Sequence, residues 1–227
     1  MDKSMNFEVI DSGLIDFTKS LEQQRNIFQQ IKLRVFESAL ITCRHNAVIT
    51  LGRQAHLDNI LISDAGLKLK GIQTCLIERG GDVTYHGPGQ LIVYPIFNLG
   101  LYKKDVNFFL RQLEEILISL LFCFGIKAVR IKGLTGVWVK DKKIASIGIA
   151  IKNWITFHGL SLNIKKDDLD NYNLIRPCGM DIKMTSLETV LGRNIEIDIV
   201  KVNLISKFRD VFAANPCLPA GRGRVSL

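Results

Sequence analysis

No stretch of this sequence approaches the roughly 20 uncharged apolar residues that a bilayer-spanning helix needs, and Met1-Asp2-Lys3-Ser4-Met5-Asn6 has no apolar run of the export-signal kind behind it. A soluble, unexported, cytoplasmic chain with no membrane partner is expected. Its five cysteines, at 43, 75, 123, 178 and 217, are odd in number and too irregularly spaced for a disulfide framework. Cys43-x-His45 is the nearest thing to a metal pair, but no second Cys/His pair supplies the remaining tetrahedral ligands, so no metal is expected. Cys43, Cys75 and Cys123 lie in apolar surroundings and read as small core residues. A basic tract and an aromatic-rich platform are also missing. Lysine and arginine outnumber aspartate and glutamate by 30 to 22, a net charge of +8, but they are scattered, which disfavours nucleic acid and favours steering of an acidic protein partner. Neither Gly-x-x-x-x-Gly-Lys-Ser/Thr nor Gly-x-Gly-x-x-Gly occurs, and there is no internal repeat or low-complexity linker.

What is present suits one globular domain. Of the 227 residues 47% are hydrophobic and 23% charged, enough apolar content for a continuous core. Phe17, Leu21, Phe28, Ile31 and Val35 recur at helical spacing and predict an amphipathic helix over 17–38. Strand-like runs follow at 40–43, 48–51, 73–78 and 91–97. Asp105 stands as an N-cap for a helix from Val106 to about Phe124, with Gly125 placed to end it. Residues 136–139, 143–151 and 154–164 read as a meander of strands joined by tight turns. The polar stretch 167–175 reads as a short helix or loop, and 199–213 returns to helical spacing. Strands mixed with helices, without regular βαβ repetition, give an α+β class on a mixed sheet with flanking helices. One catalytic domain over 1–213 and a disordered tail over 214–227 are expected.

Chemistry concentrates in four segments. Residues 79–90, Arg79-Gly80-Gly81-Asp82-Val83-Thr84-Tyr85-His86-Gly87-Pro88-Gly89-Gln90, place four glycines and a proline among polar groups. They suit either a loop whose backbone closes on a polar ligand or a glycine-rich hairpin with a buried, hydrogen-bonded histidine. Pro177-Cys178-Gly179 puts a cysteine in a rigid turn outside any apolar strand. Such a thiol is either an inert turn residue or a nucleophile, and a nucleophile needs a cation to hold its thiolate; Arg176, Lys143, His86 and His158 are the candidates. Lys143 heads the small-residue strand Lys143-Ile144-Ala145-Ser146-Ile147-Gly148, either as a surface charge or pointing into a pocket. Phe157-His158-Gly159-Leu160-Ser161 by itself is a strand containing one histidine.

Taken together these segments resemble the lipoyl(octanoyl) transferase family, whose pattern of Arg-Gly-Gly, Thr, aromatic, His and Gln is met at Arg79-Gly80-Gly81, Thr84, Tyr85, His86 and Gln90. The resemblance also covers Thr50-Leu51-Gly52-Arg53-Gln54-Ala55, Asn59-Ile60-Leu61, Lys143 to Gly148, Phe157 to Leu160, Pro177-Cys178-Gly179 and Thr185-Ser186-Leu187-Glu188, in order from about residue 8 to 213. It implies the fold of biotin and lipoate protein ligase catalytic domains, and an acyl thioester formed on Cys178 with Lys143 lowering the thiol pKa. It further implies an acyl site lined by Arg79, Gly80, Gly81, Asp82, Val83, Thr84, Tyr85, His86, Ser146, Ile147, Gly148, Gly159, Leu160 and Ser161. The donor would be octanoyl-acyl carrier protein. The acceptors would be lipoyl domains of 2-oxoacid dehydrogenase complexes and the glycine cleavage H protein, and no cofactor or nucleotide would be consumed. An ATP-dependent ligase on the same fold, which needs no nucleophilic cysteine, and a non-catalytic acyl-protein binding module are the competing expectations.

Overall fold

The computed structural model describes residues 6–212. Seven strands build the main sheet, running β1 (Glu8–Ile15), β2 (Ser38–His45), β6 (Gln90–Phe97), β10 (Ile155–Asn163), β9 (Lys142–Lys152), β8 (Leu134–Val139) and β7 (Val129–Ile131) from edge to edge. Among the described residues of this sheet only β1 and β2 pair in parallel. A second sheet places β3 (Val48–Leu51) between β4 (Gln73–Leu76), parallel to it, and β5 (Val83–His86), antiparallel. With helices α1 (Phe17–Lys32), α2 (Asp64–Leu69), α3 (Val106–Cys123), α4 (Leu187–Leu191) and α5 (Ile197–Phe212), the architecture is α+β on a mixed sheet. The meander expected over 136–164 is β8, β9 and β10, and its second turn uses Asn153 and Trp154, both at positive φ, the geometry of a two-residue hairpin.

The main sheet is covered on both faces. One buries Leu91, Val93, Phe97, Leu160 and Leu162 under Phe109, Leu113, Leu117 and Leu120 of α3 and Leu204, Phe208 and Phe212 of α5. The other packs Ile41, Cys43, Ile92 and Tyr94 against Ile27, Phe28 and Ile31 of α1. Asp105 caps α3 by accepting from the Phe108 N–H at 2.9 Å, and Gly125, at φ +74°, follows its C-terminus, as the sequence implied. Helix α1 stops at Lys32, six residues before the expected end, so Val35 is exposed. Arg34 takes the left-handed conformation usually left to glycine, and the Val35 N–H returns to the Gln30 carbonyl. With no glycine to mark the stop, apolar spacing runs past it.

Cys43 is buried as expected, whereas Cys75 is half-buried and Cys123 is exposed on α3, its thiol donating to the Ser119 carbonyl. The expected tail at 214–227, and Cys217 within it, lie outside the described residues. Among the described residues no helix is long and apolar enough to cross a membrane.

Candidate active site

The residues at 79–86 form both a loop and a strand. Arg79 is buried, and its guanidinium donates to the Thr50 hydroxyl through Nε (3.2 Å) and Nη2 (3.0 Å), to the Thr50 carbonyl (2.6 Å) and to the Gly80 carbonyl (3.0 Å). A buried charge needs such partners. Arg79 therefore shapes the site by holding the loop to β3. Gly52 is what lets β3 approach so closely, since a Cβ there would stand 2.2 Å from the Gly81 carbonyl oxygen. The Gly80 N–H in turn donates to the Ile149 carbonyl of β9 at 2.9 Å, bridging the two sheets. Asp82 accepts from the His56 N–H and the Asn59 side-chain amide, so its carboxylate serves the loop.

Strand alternation then sorts 83–86. Val83 and Tyr85 face the core of the small sheet, where the Tyr85 hydroxyl accepts from the Asn171 amide. Thr84 and His86 face the other way, into a cavity of 440 Å³, within the usual range of small-molecule sites, ~300–1,000 Å³. Of the predicted lining residues, Tyr85 alone does not border the cavity. The cavity borders Arg79 to Thr84 and His86 on one side and Ser146, Ile147, Gly148, Gly159, Leu160 and Ser161 of β9 and β10 on another. Lys143 and Pro177 complete it, so segments about a hundred residues apart in the chain meet on one space. Its apolar wall comes from Phe17, Ile77, Ile92 and Leu160, suited to a hydrocarbon tail.

Desolvation lowers the pKa of the histidines in and beside this wall. Gln90 Nε2 donates to the Tyr85 carbonyl and the Tyr172 hydroxyl, which leaves its Oε1 to accept from His86 Nδ1 at 3.0 Å. Burial pushes the His86 pKa down to about 3, with His45 and Arg79 adding to the effect. His158 is pushed to about 4, again chiefly by burial and only partly offset by the Glu78 carboxylate 3.5 Å away. His45 donates through Nδ1 to the Ile15 carbonyl and accepts the Tyr94 hydroxyl at Nε2 (2.7 Å), and burial lowers its pKa as well. Its neighbour Cys43, 3.6 Å away, has its thiol pushed up to about 12 by burial, the behaviour of a core residue. Desolvation therefore disfavours His86 and His158 as the thiolate's cation.

Two candidate cations remain. Arg176 is largely exposed and paired with Asp181. Lys143 is only 9% exposed, and its Nζ lies 4.9 Å from the centroid of the Trp138 ring. Its backbone is fixed at both ends, the N–H donating to the Lys183 carbonyl and the carbonyl accepting from Thr185. The stem lies over Gly136, at φ +130°, whose N–H donates to Glu114 Oε1. Glu114, fully buried on α3, also holds Arg111 and Arg130. Pro177–Gly179 forms one turn of 3₁₀ helix, with Gly179 at φ +63°. Sequence reasoning did not find Gly136, Glu114 or the cavity-lining Phe17 and Tyr94, because each matters through contacts between distant segments. Asn59 entered only as part of a matched motif.

Residues 16–209 match the family model described as the lipoyl protein ligase A/B catalytic domain. A protein named octanoyltransferase from Thermoanaerobacter sp. is 42% identical over 207 residues, covering 90% of each chain. Another of that name from Caldicellulosiruptor saccharolyticus is 41% identical over 213 residues, 92% of this chain and 90% of its own. Among solved structures, a bipartite lipoate protein ligase from Thermoplasma acidophilum superposes with a TM-score of 0.71 at 18% identity, over 91% of this chain and 83% of that one.

Proposed function

Because this chain belongs to the lipoyl protein ligase A/B catalytic domain family, we propose that it is a cytoplasmic octanoyltransferase carrying an octanoyl group from octanoyl-acyl carrier protein to a lysine of lipoyl domains. The observation that supports this reading is that Lys143 and Pro177, the residue before Cys178, border one apolar-walled cavity. The Cys178 thiolate attacks the donor thioester carbonyl, a new S–C bond forms, and the pantetheine sulfur leaves with a proton from the Lys143 ammonium. The acceptor lysine amine then attacks the enzyme thioester. The C–S bond breaks, the amide forms, the thiolate is regenerated, and the neutral Lys143 amine takes the released proton. One group thereby serves both halves of the cycle, and neither half consumes a nucleotide. With a net charge of +8 the chain would capture an acidic carrier partly by steering. Acceptors of this chemistry are the lipoyl domains of 2-oxoacid dehydrogenase complexes and the glycine cleavage H protein.

The test is the modification of a lipoyl domain followed by mass. Octanoylation from octanoyl-acyl carrier protein without nucleotide is expected. Octanoylation from free octanoate only when ATP is added would replace the transferase with a ligase.

A further inference from the structure

Asn59 sits where the glycine-rich loop and the cysteine turn meet. It is 9% exposed, and both its backbone and its side chain are engaged. Its carbonyl accepts the N–H of Arg176, the residue immediately before Pro177, at 2.8 Å. The two residues after it are paired with the same segment: Ile60 bridges Ile175, and the Leu61 N–H donates to the Leu174 carbonyl at 2.8 Å. A Cβ on Gly179 would stand 3.9 Å from both side-chain amide atoms of Asn59, so the amide lies directly against the turn. Its Nδ2 donates to Asp82, itself only 6% exposed, and the other Asp82 oxygen takes the His56 N–H.

We propose that Asn59 is a positioning residue for acyl transfer, strapping the turn that carries Cys178 to Asp82 of the loop that lines the acyl cavity. This rests on the transferase function above. Without the side-chain bond, Asp82 keeps one backbone donor for a buried carboxylate, and the backbone pairing of 59–61 with 174–176 no longer fixes the turn's position against Asp82; a displacement near 1 Å at a reacting centre costs on the order of 100-fold in rate. Positioning acts on the reaction step rather than on capture of the donor. Its loss therefore lowers kcat and leaves the donor KM nearly unchanged.

The experiment compares the full chain with Asn59→Ala, Asn59→Asp and the double variant Asn59→Asp/Asp82→Asn. In Asn59→Asp two carboxylates face each other; in the double variant the amide at 82 donates to the carboxylate at 59, restoring the bond with its direction reversed. Both single variants should lose at least tenfold in kcat with the donor KM within twofold, and the double variant should recover most of it. Wild-type kcat in Asn59→Ala overturns the proposal. So does a double variant that melts like wild type yet stays as slow as Asn59→Asp. If wild type itself transfers no octanoyl group, the assigned function fails, an outcome distinct from both.

Discussion

A Cβ on Gly136 would stand 2.6 Å from Cε of Lys143 and equally close to the Ala145 carbonyl oxygen, so this glycine sets where the lysine stem lies. At φ +130° the position also disfavours any L side chain. Gly136→Ala should destabilise the fold by about 1–3 kcal/mol and, by pushing the amine out of place, lower kcat by on the order of tenfold or more. Denaturant unfolding and steady-state kinetics check the two effects. A variant that loses stability but keeps kcat would show that the lysine position is not critical.

The charge on Lys143 is tested through the thiol it is proposed to serve. In a background with the other four cysteines replaced, the pH midpoint of iodoacetamide alkylation should rise toward about 8.5, the value of an ordinary thiol, in Lys143→Met. Lys143→Arg should keep the low midpoint yet turn over poorly, because a guanidinium does not give up its proton at working pH. Coincident profiles for all three would remove Lys143 as the thiolate's partner.

Neutral, buried imidazoles make the fold sensitive to acid. With folded pKa values near 3 for His86 and 4 for His158, against about 6.5 in the unfolded chain, the folded state binds fewer protons. Their contribution to stability is fully present above about pH 6.5 and is lost as pH falls toward the folded values, by about 1.4 kcal/mol per pH unit for each histidine. Unfolding free energies between pH 7.5 and 5 should show this decline, and His86→Gln should make it shallower. A flat response over that range would mean the histidines are accessible to protons in the folded state.

Elements with long apolar periodicity and explicit caps are legible in the sequence. Helix α3 needed only Asp105, its apolar run and Gly125, and the β8 to β10 meander only its alternation and turns. Strand β1 was not recognised. Asp11, Ser12 and Gly13 interrupt its pattern, and the structure has a register shift there. Strand β5 was hidden among glycines, and of the two readings of 79–90 the hairpin does not hold: β5 pairs with β3 of the small sheet while β6 lies in the main sheet, and the stretch instead borders the cavity with a half-buried, hydrogen-bonded His86. At the site, motif residues were visible because their types are unusual where they stand. Their supports were not, because nothing local marks Glu114 as the acceptor of the Gly136 N–H or Asn59 as the donor to Asp82.

The most direct measurement is the intact mass of the protein after incubation with octanoyl-acyl carrier protein and no nucleotide. Wild type, and each of Cys43→Ala, Cys75→Ala, Cys123→Ala and Cys217→Ala, should gain the mass of one octanoyl group, reversibly by hydroxylamine as a thioester requires. Cys178→Ala should gain nothing and modify no lipoyl domain. An octanoyl adduct that persists in Cys178→Ala would contradict the assignment of the nucleophile.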